Sequence, residues 1–147
     1  TFATPYFAAT QALLVKTDSG ITNMEGLRGK VLAVQTDTTG KDYAEKNAKA
    51  GGYTVKVFED MTTGANSVLG GGSAGAINDN GVLYDFAKDN PTTKVVQEFQ
   101  TGESYGFNVS NDNKALADAI SEVITSSKAD GTYNTIYKKW FGVDAPK

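Results

Sequence analysis

Three times between residues 31 and 91 the chain passes from a short apolar run, through a polar turn, into a segment with helical spacing. The runs are VLAVQT (Val31–Thr36), YTVKVFE (Tyr53–Glu59) and AGAIND (Ala74–Asp79). Short β-branched runs or period-two alternation specify strands, whereas apolar residues three and four apart specify helices. KDYAEKNAKAGG puts Tyr43, Ala44, Asn47 and Ala48 on one face, with Gly51-Gly52 as a stop. TTGANSVLGGGS offers Thr62 or Thr63 as a cap and Ala65, Val68 and Leu69 as an inner face. GVLYDFAKDNP is helical until Pro91 ends it. Strands joined by helical crossovers run parallel, so this alternation predicts an α/β sheet domain.

The flanks extend the pattern. QALLVK (Gln11–Lys16) reads as a strand, and Asn23 is placed to cap a short helical turn ending near Gly29. TKVVQEF and YGFNVS read as two further strands. Beyond them KALADAISEVITSSKADG sets Leu116, Ile120, Val123 and Ile124 on one helical stripe, with Gly131 as a left-handed cap. TYNTIYKKWFG sets Tyr133, Ile136, Tyr137 and Trp140 at i, i+3, i+4 and i+7, and Trp140 and Phe141 are expected in a core. Both helices need a partner surface.

Composition narrows the chemistry. The 147 residues contain no cysteine and no histidine, which removes thiol and imidazole catalysis, Ser-His triads and the usual zinc sites. No cofactor is implied. The 14 Lys and Arg are scattered and the net charge is −3, against the clustered basic footprint of a nucleic-acid surface. No apolar run approaches the roughly 18 residues of a membrane span. The first residue is threonine, and the chain is read as a processed or excised piece of something longer.

Two turns could hold a ligand. A helix starting near Thr38–Gly40 presents N–H groups without intrahelical partners and a partial positive charge, so it attracts an anion; Thr38 and Thr39 add hydroxyls. The spacing of a phosphate-binding Walker loop is absent, since Gly40-Lys41 is followed by Asp42. The plainer reading makes Thr38 or Thr39 an N-cap only. Likewise Asp79, at the end of AIND, is either a partner for an ammonium group or simply the cap of the next helix. If the two strands are parallel neighbours, the pair suits a zwitterion: carboxylate at Thr38/Thr39, ammonium at Asp79. Tyr6 and Phe7 in FATPYF could wall a pocket or pack in the ordinary way. Carboxylates and tyrosines alone make no convincing acid–base set, so an enzyme is not expected.

Four segments, in order, resemble the polar amino-acid solute-binding proteins that feed ABC importers, the glutamine-binding-protein-like group. FATPYF resembles the family's Phe-Ser-x-Pro-Tyr segment, and NMEGLRGKVLAVQTDTTGKDYA its DLxGKxVAVxxGTT block. GSAGAINDN resembles its GxxDAVxxD strand, and ADGTYNTIYKKWFG its xDGTYxxIYxKWFG end. The resemblance implies a periplasmic-binding-protein-like fold of two α/β lobes closing on the ligand, of which this chain would hold the second lobe. On that scheme residues 1–7 are a remnant of the first lobe. Residues 8–110 are the complete second lobe, with Gln11–Lys16 and Tyr105–Ser110 as its crossover strands. Residues 111–147 are helices that normally pack on the first lobe. It further implies that Thr38 and the Thr38/Thr39 amides take the ligand carboxylate, that Asp79 takes its amino group, and that Gln35 and Asn78 face its side chain. A polar uncharged or acidic amino acid, glutamine or glutamate, is favoured. The implied role is that of the substrate-binding component of an importer, extracytoplasmic (periplasmic, or a Gram-positive surface lipoprotein), partnered by an ABC permease. A sensor domain with this fold and a dehydratase-like enzyme on the same scaffold are the alternatives. The family arginine that clamps the carboxylate falls before Thr1. Asp37 stands where the family has glycine, and Gly75 where it has aspartate before Ala-Ile. Without a first lobe, the stripe on the last two helices is expected to drive a homodimer, by helix swapping, or to be hidden within the chain.

Overall fold

A computed structural model of the chain describes residues 1–146. Its elements are β1 (Phe7–Lys16), a short 3-10 turn (Met24–Leu27), β2 (Val31–Gln35), α1 (Thr39–Gly51), β3 (Thr54–Phe58), α2 (Met61–Leu69), β4 (Gly75–Asp79), α3 (Asn80–Asp89), β5 (Thr93–Tyr105), α4 (Lys114–Ala129) and α5 (Thr132–Phe141). Two compact units are formed, one from Thr10–Gln100 and one from Thr1–Ala9 with Thr101–Lys147.

The first unit is built on the sheet, in the order β3-β2-β4-β1-β5. β2 runs parallel to β3 and to β4, and β1 runs antiparallel to β4. Alternation along each strand sends side chains to opposite faces. Leu13, Val15, Leu32, Val34 and Ile77 bury one face together with Ala44 of α1 and Tyr53. Ala12, Leu14, Ala33 and Ala76 form the other with Met61, Ala65 and Val68 of α2 and Leu83 of α3. Small strand residues on the second face let α2 come close: a Cβ on Gly64 would lie in van der Waals contact with Ala33 Cβ, at 3.7 Å. Each fully buried Leu, Val or Ile contributes roughly 1.5–3 kcal/mol.

Local signals behave as chemistry requires. Asn23 accepts from the N–H groups of Glu25 and Gly26, capping the short turn. Gly52 ends α1 in the left-handed conformation, at φ 69°. The cap of α2 is Asp60, not Thr62 or Thr63, because Asp60 stands one residue before the first turn and its carboxylate reaches the Thr63 N–H at 2.8 Å. Gly75 has no room for a larger side chain: its Cβ would meet Leu13 Cδ1 at 2.9 Å and the Leu14 carbonyl oxygen at 3.1 Å.

One expected break is absent. TKVVQEF and YGFNVS are not two strands; β5 continues from Thr93 to Tyr105, and residues 106–110 carry only an isolated bridge between Phe2 and Asn108. Gly102 adopts φ 78° inside the strand, a conformation glycine accepts without steric cost.

In the second unit, Phe7, Ala9 and Tyr137 form a small buried cluster flanked by Tyr6, Tyr133, Phe141 and Ala145. Tyr6 stacks on Phe107 with centroids 4.7 Å apart, and Phe7 on Tyr137 at 5.8 Å, so Tyr6 and Phe7 serve packing here. Gly131 is left-handed between α4 and α5, at φ 86°. Trp140 is not core: it is 56% exposed, with Val123 at 66%, Ile136 at 52% and Leu116 at 46%. The expected stripe is split: Ile124 and Tyr137 are buried, whereas Leu116, Val123, Ile136 and Trp140 face solvent, because the unit's few apolar partners cover only the Tyr137–Phe141 side.

Candidate functional site

The C-terminal ends of β2 and β4 lie side by side, with Val34 paired to Ile77, so Gln35 and Asn78 are adjacent. Asn78 Nδ2 donates to Gln35 Oε1 at 3.2 Å, and Asn78 Oδ1 accepts from the Asp79 N–H at 2.8 Å. The two amides expected to face a ligand side chain thus form one polar pair at the sheet edge, Asn78 buried and Gln35 half-buried.

Thr38 is the N-cap of α1: its hydroxyl accepts from the Lys41 N–H at 3.2 Å and donates to the Gln35 carbonyl at 2.8 Å. The hydroxyl therefore does what the plainer reading assigned to it. Thr39 opens the helix, where the partial positive charge of the peptide dipoles is concentrated. Asp37, just before the cap, has φ 54°. A left-handed backbone is natural for glycine and tolerated by aspartate, which accounts for a glycine in the resembling motif.

Asp79 occupies the N-cap position of α3 yet makes no side-chain cap hydrogen bond. Instead its Oδ1 accepts from Gln11 Nε2 at 2.5 Å, across the β1–β4 pair in which Gln11 and Asp79 are register partners. The same Nε2 donates to Thr39 Oγ1 at 3.1 Å. One buried amide therefore joins the two turns singled out from sequence. By sequence Gln11 is only the first residue of a strand. Its one signal is an amide heading an otherwise apolar run, QALLV, and its partners lie 28 and 68 residues away.

Chemically, the edge offers a carboxylate beside a helix start, with neutral amides between them. Among the described residues no group of three or more His, Cys, Asp or Glu could hold a metal ion. No described helix is long and apolar enough to cross a membrane. The cavity of about 360 Å³ lined by Lys16, Lys30 and Ser73 contains none of these edge residues.

The model of the bacterial extracellular solute-binding proteins, family 3, matches residues 1–143. The chain belongs to this family. It is 35% identical over 145 residues to the ABC transporter glutamine-binding protein GlnH of Bacillus subtilis, covering 97% of this chain and 52% of that protein. It is 30% identical to the putative ABC transporter arginine-binding protein 2 of Escherichia coli, covering 95% of this chain and 58% of that one. The chain thus spans about half the length of the curated relatives it matches. Among solved structures, substrate binding domain 2 of Lactococcus lactis GlnP, in an open conformation, superposes with TM-score 0.88 at 28% identity, covering 99% of this chain and 63% of that one. The family's members are solute-binding proteins, not enzymes, and the mixed α/β fold is the one they share.

Proposed function

We propose that the chain forms one wall of an amino-acid cleft in the substrate-binding component of an ABC importer. The ligand carboxylate docks at the start of α1, on Thr38 and Thr39; its ammonium group meets Asp79; Gln35 and Asn78 line its side chain. The observation that carries this reading is the contrast between the turns: a helix start, which favours an anion, next to an aspartate that does not cap its own helix. Neutral amides between them favour a polar uncharged or acidic ligand, glutamine or glutamate, and the name of the B. subtilis relative agrees. Relatives named for arginine and cystine mark the range against which that preference is set.

In the intact protein, residues 8–110 act as the second lobe, with residues 1–7 and 111–147 belonging to the first. Ligand bridging both lobes shifts a hinge equilibrium toward closure, and an extracytoplasmic location presents the closed form to the permease. Leu116, Val123, Ile136 and Trp140 supply the apolar stripe on which the isolated chain forms a homodimer. Light scattering tests that: a monomer at all concentrations rejects it.

The ligand reading is tested by amide chemical-shift mapping with each of the twenty amino acids and with phosphate at millimolar concentration. Shifts confined to Thr38, Thr39 and Asp79 with one or two amino acids are expected. A response to phosphate alone would reduce the edge to a generic anion nest.

A further inference from the structure

We propose that Gln11 is the positioning residue of this edge, a buried amide that holds Asp79 and Thr39 in fixed orientation to each other. The proposal rests on the reading of those two as the ammonium and carboxylate partners.

Gln11 is 0% exposed, on a strand that continues with Ala12, Leu13, Leu14 and Val15. Its Nε2 carries two hydrogens in one plane and meets two acceptors, Asp79 Oδ1 and Thr39 Oγ1. A planar amide bonded at both hydrogens dictates the direction of both partners. The orientation of the amide is decided by Asp79, since the reverse one would set a carbonyl oxygen against a carboxylate. The other end of the side chain has no such satisfaction: Oε1 is buried without a hydrogen-bond partner. A buried acceptor left unpaired is destabilising, and a methionine or leucine would fill the same space without it. The amide is therefore poorly explained by packing and well explained by the two groups it orients.

Gly40 completes the device. A Cβ there would lie 2.6 Å from Gln11 Oε1, so the first turn of α1 can approach the amide only because residue 40 has no side chain. Since Oε1 is the far end of a flexible side chain, Gly40→Ala displaces the amide without removing it.

The test compares the parent chain with Gln11→Met and Gly40→Ala, reading side-chain χ1 scalar couplings of Asp79 and Thr39 together with the amino-acid titration. In the parent both residues hold a single rotamer. Both variants are expected to give averaged couplings at Asp79 and Thr39, and an amino-acid response about tenfold weaker or more. Gln11→Met is expected to melt no lower than the parent. A packing role alone would lower the melting temperature and leave the couplings intact. Unchanged couplings in both variants overturn the proposal. Should Gln11→Met fail to fold, Gly40→Ala decides. A parent that responds to no amino acid defeats the ligand reading, while the couplings still decide the role of Gln11.

Discussion

Asp60 and Asp79 occupy the same place in two consecutive strand–turn–helix units, each just before the first turn of a helix. Asp60 caps: its carboxylate accepts from the Thr63 N–H and from the Thr63 hydroxyl, both at 2.8 Å. Those bonds, led by the backbone one, hold its carboxyl below the ordinary aspartate range. Asp79 makes no cap bond and turns to Gln11 instead. The neighbours explain the difference. β3, which precedes Asp60, is an edge strand of the sheet, so no further strand flanks its outer side. β4 lies between β2 and β1, and β1 places a buried amide directly opposite Asp79. A residue type and a position do not settle a role; the adjacent strand does.

The sharpest test of that contrast is Asp79→Ala. It is expected to weaken the amino-acid response about 100-fold, the scale of a lost hydrogen-bonded charge partner, and to cost about 1–3 kcal/mol of stability, because the buried Gln11 amide loses an acceptor. Titration calorimetry and a thermal melt on the same sample check both halves. An equal loss of affinity in Asp60→Ala would dissolve the distinction. Next in size, Thr38→Ala removes a side-chain cap and is expected to cost about 1 kcal/mol of stability by denaturant melting. A loss of binding larger than the loss of stability would show that the Thr38 hydroxyl also reaches the ligand.

Asp37→Gly relieves a left-handed backbone worth about 1–2 kcal/mol, partly offset by glycine's greater unfolded-state freedom, so a gain of about 0.5 kcal/mol is expected. A chevron or urea titration resolves it. The smallest effect is a pH effect at Asp60, which is exposed to solvent screening. Its folded value is lowered, so its contribution is present above the ordinary aspartate range, near about 4, and is lost as pH falls through the folded value. Amide-exchange protection of Thr63 and Gly64 should fall in that window. Asp60→Asn keeps a capping oxygen and should abolish the pH dependence.

Much of this molecule was legible locally. The three strand–helix units, the inner face of α1 and the stops at Gly52 and Gly131 all follow from spacing, because periodicity and left-handed glycines act within a few residues. The candidate edge was legible as two separate turns. The cap of α2 was misplaced by two or three residues, since an aspartate before two threonines leaves three possible first turns. Trp140 was misread for a different reason: spacing says which side of a helix is apolar, and only the packed unit says whether anything covers it.

The amino-acid sequence by itself determined that an α/β sheet would form with helices across it, and that Thr38, Thr39 and Asp79 would stand at its turns. Tertiary structure alone decided what those residues do there. It carried β5 past Gly102, buried Ile124 and Tyr137 while leaving Leu116, Val123, Ile136 and Trp140 exposed, and brought Gln11 within hydrogen-bond reach of groups 28 and 68 residues away. Patterns of two and 3.6 residues encode strands and helices, but the partner of a buried amide is set by strand order and register, which no local period contains.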